Sequence, residues 1–288
     1  MRPVAIVSDS THYLPPELTR EAAISQVSLY VRSGEHQQRE ADITNYAAFY
    51  RGIAGSGDLP STSQPSIGDF TAAYEPLLEA GHDIVSVHLS AGVSGTHGAA
   101  VQAKALIDER GGPGRIEVVD SHSACGGLGC VVLASSAVAR AGGDTDAVVA
   151  RATAAAGLMR LWFCVDTLEY LQRGGRIGRA AAWLGGALQI KPILSIESDI
   201  LPIERVRTAG RAFERMVEYM RTLQADGVDA WVVQHIQAEG RAQALVERGR
   251  EVFGNEPLWV SEVGPVIGTY TGPGLLGVGG IPGRLLAA

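Results

Sequence analysis

The sequence predicts an α/β protein in two parts: a mainly parallel sheet with its helices over residues 1–159, and a smaller α+β domain over 160–288. Three observations carry this. Short apolar runs alternate with helix-period segments through the first half, as right-handed βαβ units do. The second half places two apolar runs back to back across a Ser-Asp turn, then adds two long amphipathic stripes. And 288 residues suit two domains at roughly 150 residues each.

Val4-Ala5-Ile6-Val7 reads as a buried strand. Pro15-Pro16 then opens a helix, because proline's fixed φ and missing N–H do no harm at a first helical position. Residues 24–31 read as a second strand, 33–40 as a polar surface loop and 44–54 as a helix. Ser66 and Asp69 have capping-box spacing ahead of a helix from Ile67. A strand at 83–89, a helix at 96–108, a strand at 116–119 and helices at 129–140 and 144–159 complete the first part.

Beyond residue 160, 161–165 reads as a strand and the Gly/Arg-rich 173–179 as a loop. Residues 190–196 and 200–206 form an expected antiparallel pair. Phe213, Met216, Val217, Met220 and Leu223 recur on one helical face, and Ala242, Leu245, Val246, Gly249 and Val252 on another. Both stripes are read as core packing, with a strand at 230–236 between them.

Composition excludes several classes. Glycine supplies 36 of the 288 residues, above the usual share of about 7%, but without a three-residue period and with only 13 prolines. A fibre or a disordered chain is therefore not expected. The three cysteines, Cys125, Cys130 and Cys164, are an odd number in a large chain and read as thiols in a reducing cytoplasm. The apolar run 4–7 is too short for a signal-peptide core, and no run reaches the length of a membrane span. A net charge of −7 argues against nucleic acid as a partner.

Familiar catalytic motifs are missing. A P-loop needs Gly-Lys-Ser/Thr, yet Lys104 and Lys191 follow Ala103 and Ile190. Gly272-Pro273-Gly274-Leu275-Leu276-Gly277 fits G-x-G-x-x-G, but it carries a proline and precedes no helix, so it reads as a tight loop. Gly92-Val93-Ser94-Gly95 is one residue short of a nucleophile elbow. His122, Cys125 and Cys130 fit no zinc spacing, and a helix start with buried thiols is the better account. No metal or cofactor is expected.

The positive signal lies in the hydroxyls. Ser8-Asp9-Ser10-Thr11, Ser90 to Thr96, and Asp120-Ser121-His122-Ser123 each follow an apolar run. In a parallel sheet these loops share the carboxyl edge, where ligands bind. Thr62-Ser63-Gln64-Pro65-Ser66 adds a fourth cluster. Hydroxyls beside helix N–H groups suit an anion, and Gly95 in Ser94-Gly95-Thr96 permits close backbone approach. Each cluster alone is equally an ordinary cap or turn. Seven arginines (173, 176, 179, 205, 207, 211 and 215) crowd the second half. Most read as solvated, whereas Arg176, among Gly174, Gly175 and Gly178, suits a docking or phosphate-binding role.

Taken in order, these segments resemble the DegV family, bacterial fatty-acid-binding proteins that serve as binding subunits of fatty acid kinase. The resemblance runs from Val7-Ser8-Asp9-Ser10-Thr11 through Thr62-Ser63-Gln64-Pro65-Ser66, Leu89 to Thr96, and Val119-Asp120-Ser121. It continues with Leu168-Glu169-Tyr170-Leu171, Gly174-Gly175-Arg176-Ile177, Lys191-Pro192-Ile193-Leu194 and Gly268-Thr269-Tyr270-Thr271-Gly272-Pro273-Gly274. It implies the family's two-domain fold with a long-chain fatty acid in an apolar tunnel at the domain interface. It further implies that Thr62 and Ser94 bind the carboxylate, with Ser63, Gly95, Tyr270 and Arg176 around it and no catalytic residue of the chain's own. Arg176 and Arg207 would meet the kinase catalytic subunit, which would bring ATP and metal for acyl-phosphate formation in phospholipid metabolism.

One departure stands out: the family commonly has His where this chain has Tyr270. A tyrosine hydroxyl donates, but it keeps its proton near neutral pH and is no base. The alternative reading is a serine hydrolase with Ser94 as nucleophile, His122 or His97 as base, and Asp120 or Asp9 as orienter. A nucleic-acid-binding regulator using the arginines is a third reading, disfavoured by the acidic balance.

Overall fold

The computed structural model describes residues 2–55, 59–184 and 190–287. In the first half the strands are β1 (Val4–Asp9), β2 (Ile24–Val27), β3 (Tyr30–Ser33), β4 (His36–Arg39), β5 (Ser61–Ser63), β6 (Asp83–His88) and β7 (Ile116–Asp120). They are followed by β8 (Arg160–Cys164), β9 (Lys191–Glu197), β10 (Asp199–Val206), β11 (Ala230–His235), β12 (Trp259–Glu262) and β13 (Leu276–Ile281).

The first sheet is parallel, in the order β2-β1-β6-β7. Helices cover both faces, which is why its strands are apolar in runs rather than in alternation. Val7 and Ile84 pack with Phe70, Tyr74 and Ala103 of the helices Ile67–Glu79 and Thr96–Glu109. Ile6 and Val85, one position away, pack on the other face with Leu128, Val131 and Ala152 of the helices Gly126–Arg140 and Thr145–Leu158. The Ser66–Asp69 capping box forms as its spacing predicts.

The second sheet runs β10-β9-β8-β13-β11-β12 and is antiparallel except for the β11–β12 pair. The predicted hairpin pairs Asp199 with Glu197 at its turn. One face packs on the helices Ala209–Ala225 and Glu239–Phe253, through Met216, Met220, Leu245, Leu276 and Val278. The opposite face turns Leu161, Phe163, Val232 and Ile196 into the same core as the Gly126–Arg140 helix. That helix therefore lies between the two sheets, and the space beside its N-terminus is bounded by both.

Three local expectations need correction. The strand expected over 24–31 is two strands: β2 belongs to the parallel sheet, and β3 starts the small antiparallel sheet β4-β3-β5. Ser28 stands at the break, donating to Leu29 O at 2.9 Å and accepting from Ala41 N at 3.1 Å. The expected loop 33–40 contains β4, the far arm of a hairpin that turns through Gly34 at φ 61°. Every residue of β4 is exposed, so no apolar alternation marks it. Finally, the tight loop expected at 272–277 is one only as far as Leu275. Leu276 and Gly277 already belong to β13, inside the second sheet, where glycines 277, 279 and 280 hide the strand from hydropathy.

Candidate functional site

The loops after β6 and β7 open onto a cavity of about 300 Å³ between the two sheets, at the lower end of the roughly 300–1,000 Å³ usual for small-molecule pockets. Leu89, Val93 and Ser94 enter from the first loop, and Ala124 and Cys125 from the second. Leu161, Phe163, Val232 and Gly277 of the second sheet lie in its floor, with Ile267 and Tyr270 coming from the helix Pro265–Thr271.

Of the residues singled out from the sequence, Thr62, Ser63, Ser94, Arg176 and Tyr270 line this cavity. They form one cluster. The Thr62 and Tyr270 hydroxyls are 2.5 Å apart, and the Arg176 guanidinium lies over the Tyr270 ring, 4.9 Å from its centre. Arg176 also donates to Val93 O at 3.3 Å and to Gly174 O at 2.9 Å, which brings it beside Ser94. Gly95 lies outside the cavity, in an adjoining surface cleft that also borders Ser94 and Arg176. A side chain at Gly95 would collide with Gln64, itself a lining residue. Arg207 is exposed and lines neither space.

Polarity and exposure fall together along the cavity. Ser63 and Arg176 are exposed and Thr62, Ser94 and Tyr270 are half-buried, whereas Val232, Val263, Leu275 and Gly277 are buried. Two buried polar groups in the wall are exceptions, and both are engaged: the Thr271 hydroxyl donates to Ile267 O at 3.1 Å, and the Gln234 amide is bonded at both ends. Gly126 N–H donates to its oxygen, and its nitrogen donates to Ser261 Oγ at 2.9 Å. Cys125 is a buried lining thiol, and burial raises its pKa, so it contributes apolar surface.

The first hydroxyl cluster serves differently from expected. Ser8, Asp9, Ser10 and Thr11 are buried and line none of this space. Burial alone would raise the Asp9 pKa, yet hydrogen bonds from His88, Thr11 and Leu89 outweigh it and hold the carboxylate below its ordinary range. Asp9 takes His88 Nδ1 at 3.1 Å and Leu89 N–H at 2.9 Å, so it anchors the start of the Ser94 loop from below. Asp120 anchors the same loop through Ala91 N–H at 3.2 Å. Ser90 Oγ donates to Ser198 O at 2.6 Å, and Ser198 N–H donates to His122 O at 2.9 Å. The β9–β10 turn thus clasps both strand-end loops.

The hydrolase geometry is not assembled. His122 Nδ1 faces Asp120 at 3.3 Å and Ser198 Oγ at 3.0 Å, while Ser94 Oγ bonds Thr96 Oγ1 at 2.9 Å. Asp9 is committed to His88 in the interior. His97 is half-buried, and burial, against the pull of Asp120, lowers its pKa. Among the described residues no histidine bonds Ser94. Three of the seven arginines are engaged elsewhere: Arg173 pairs with Glu169, Arg215 pairs with Glu204 and Glu218, and Arg205 lies over Trp183.

Sequence reasoning missed the cavity's apolar lining, since Phe163 or Leu275 looks like any core residue until the space beside it is seen. It also missed Glu40. This buried carboxylate accepts from Ser10 Oγ (2.5 Å), Tyr13 Oη (2.7 Å) and Val266 N (2.8 Å). It thereby holds the N-terminus of the helix that carries Tyr270. A lone Glu in a polar stretch gave no signal.

Fold and site together define an α/β protein whose two larger sheets meet over an apolar cavity with a polar mouth. The chain belongs to the DegV family: the family model described as "uncharacterised protein, DegV family" matches residues 3–283. A DegV domain-containing protein of Streptomyces coelicolor is 42% identical over 280 residues, 96% of this chain and 98% of its own length. A solved DegV-family structure from Thermus thermophilus, described as fatty-acid-binding, has a TM-score of 0.86 at 32% identity, covering 98% of this chain and 100% of that one. The Bacillus subtilis DegV, described as a fatty acid binding protein, also has a TM-score of 0.86 at 32% identity, with 97% and 99% covered. Among the described residues no helix is long and apolar enough to cross a membrane.

Proposed function

We propose that this protein binds a long-chain fatty acid, with the carboxylate at the Thr62–Ser94–Arg176–Tyr270 mouth and the acyl tail in the apolar cavity between the 1–159 and 160–288 domains. One observation carries the reading: the free polar groups of the cavity gather at its exposed end, and its buried lining is apolar apart from the Cys125 thiol and two engaged groups, Gln234 and the Thr271 hydroxyl, which donates to Ile267 O. An amphipathic anion has this distribution. Thr62 and Ser94 donate hydroxyl protons to the carboxylate oxygens, the N-terminus of the Thr96–Glu109 helix adds its partial positive charge, and Arg176 supplies a full one. Burial of the tail supplies most of the affinity, at about 0.8 kcal/mol per CH₂. The fatty-acid-binding descriptions of the Thermus and Bacillus relatives support this reading.

The mouth is also where a second protein would reach the carboxylate. In the kinase-coupled role, a catalytic subunit docks over Arg176 and Arg207. The carboxylate oxygen then attacks the γ-phosphorus of ATP held by that subunit, giving an acyl phosphate and ADP. The chain itself contributes no catalytic residue and needs no cofactor. Tyr270 holds Thr62 and supports Arg176 in place of an imidazole.

Calorimetric titration with a long-chain fatty acid and with its methyl ester tests the binding step. The acid binds and the ester binds far more weakly. Equal affinity for the two would remove the carboxylate site. Acyl-phosphate formation with a fatty acid kinase subunit, lost in the Arg207→Glu variant while fatty acid binding persists, tests the docking.

A further inference from the structure

Gly277 lies in the cavity floor at its buried end. It sits mid-sheet on β13, opposite Gln234 on β11 and Phe163 on β8. Those two neighbours are side walls: Phe163 is fixed by the core, and Gln234 is pinned by Gly126 and Ser261. Every other buried glycine among the described residues is occupied from above, because a methyl group on it would fall within 3.0 Å of a neighbouring atom. Gly279, on the same face two residues on, would strike Leu161 and Met159 side chains at 2.8 and 2.9 Å. Gly277 differs. The atoms nearest its methyl would be Phe163 Cβ at 3.4 Å, Trp162 O at 3.5 Å and Gln234 O at 3.8 Å, ordinary contacts with the adjoining strands, and no side chain above stands nearer than these. Its φ lies outside the left-handed region, so the backbone accepts any strand residue.

Neither conformation nor protein packing therefore requires glycine here. A glycine in a strand interior weakens the strand, and close approach of a ligand is one reason to find it there. We infer that Gly277 is a specificity-determining residue: its missing side chain is the space that the far part of the acyl chain occupies, and it sets the longest tail the cavity accepts. This rests on the fatty-acid reading above and adds the residue that selects among fatty acids.

The test is a binding series of saturated fatty acids from ten to twenty carbons against the wild type, Gly277→Ala and Gly277→Val, with thermal unfolding of the ligand-free proteins in parallel. Both variants keep the wild-type unfolding temperature or exceed it, whereas Gly279→Ala unfolds at a lower temperature. Gly277→Val loses roughly tenfold or more in affinity for the longest acids, as a methylene-scale mismatch in an apolar pocket does, and keeps wild-type affinity for the shortest that bind. The preferred length moves down, less in the alanine variant. An unchanged length profile, or equal weakening at every length, overturns the assignment while leaving the carboxylate site intact. A wild type that binds no acid of the series removes the fatty-acid reading and this inference with it.

Discussion

The hydroxyls of Thr62 and Tyr270, 208 residues apart in sequence, stand 2.5 Å from each other at the cavity mouth. Thr62 is the central residue of the β3–β5 pairing of the small sheet, opposite Val31, and Tyr270 rides on the helix Pro265–Thr271. This contact joins the first and last parts of the chain at the point where the carboxylate is proposed to bind.

Removing either hydroxyl leaves the other without its partner: the loss of Thr62 takes a donor from the carboxylate, and the loss of the Tyr270 hydroxyl frees that donor from the group that holds it. Thr62→Val and Tyr270→Phe are each expected to weaken fatty acid binding by about 1.5–3 kcal/mol, the range for hydrogen bonds to charged groups. The phenylalanine variant retains the ring beneath Arg176. Because the hydroxyls touch, the double variant should lose less than the sum of the two singles. Calorimetric binding measurements on the four proteins decide it; strict additivity would show that the two hydroxyls act independently.

Arg176 contributes less, since its guanidinium is exposed and screened. Arg176→Ala should cost about 1 kcal/mol, roughly fivefold, in fatty acid affinity. The loss should shrink as salt is raised and vanish for the fatty alcohol of the same length. A loss equal for acid and alcohol would assign Arg176 to packing.

Tail burial predicts a chain-length ladder in the wild type. Each added carbon should tighten binding roughly fourfold, from about 0.8 kcal/mol per CH₂, until the cavity floor is reached, and then no further. Displacement of a fluorescent fatty acid by unlabelled ones measures this, and a flat ladder would place the tail outside the cavity.

Two buried groups shape the pH dependence of stability in opposite senses. Burial pushes the Glu40 pKa from 4.5 up to about 6, against the hydrogen bonds from Ser10, Val266 and Tyr13. The folded state thus holds the Glu40 proton more tightly than the unfolded chain. Its contribution is full below pH 4.5 and is lost as pH rises through 6, a change of about 2 kcal/mol. Burial lowers the His12 pKa from 6.5 to about 4; its contribution is present above 6.5 and is lost as pH falls toward 4. Glu40→Gln removes the first effect alone, so the variant's stability should climb more steeply than the wild type's between pH 4.5 and 6. Urea unfolding across that window measures both slopes, and parallel profiles would contradict the assignment.

The parallel sheet was legible because strands such as β6 are buried on both faces and flanked by helix-period segments. Ser94 at the mouth was legible because it stands between a strand end and a helix start, where few other residue types serve, whereas Thr62 within β5 and Tyr270 near the end of its helix were singled out only through the family resemblance. What stayed hidden had no local signature. β4 is polar throughout because solvent meets it at every residue, and β13 is rich in glycine where neighbouring chain crowds Gly279 and Gly280 and where Gly277 borders the cavity. The roles of Asp9 and Glu40 depend on partners brought from elsewhere, His88 and Val266. In a sequence each looks like any loop carboxylate.

The central claim is that an amphipathic acid fills the space between the two sheets, and native mass spectrometry of the purified protein, followed by organic extraction, tests it most directly. The account predicts a bound species that extracts as a long-chain fatty acid and is absent or much reduced in Thr62→Val/Arg176→Ala. A protein that carries nothing, and that still takes up no long-chain fatty acid when one is supplied, would contradict it.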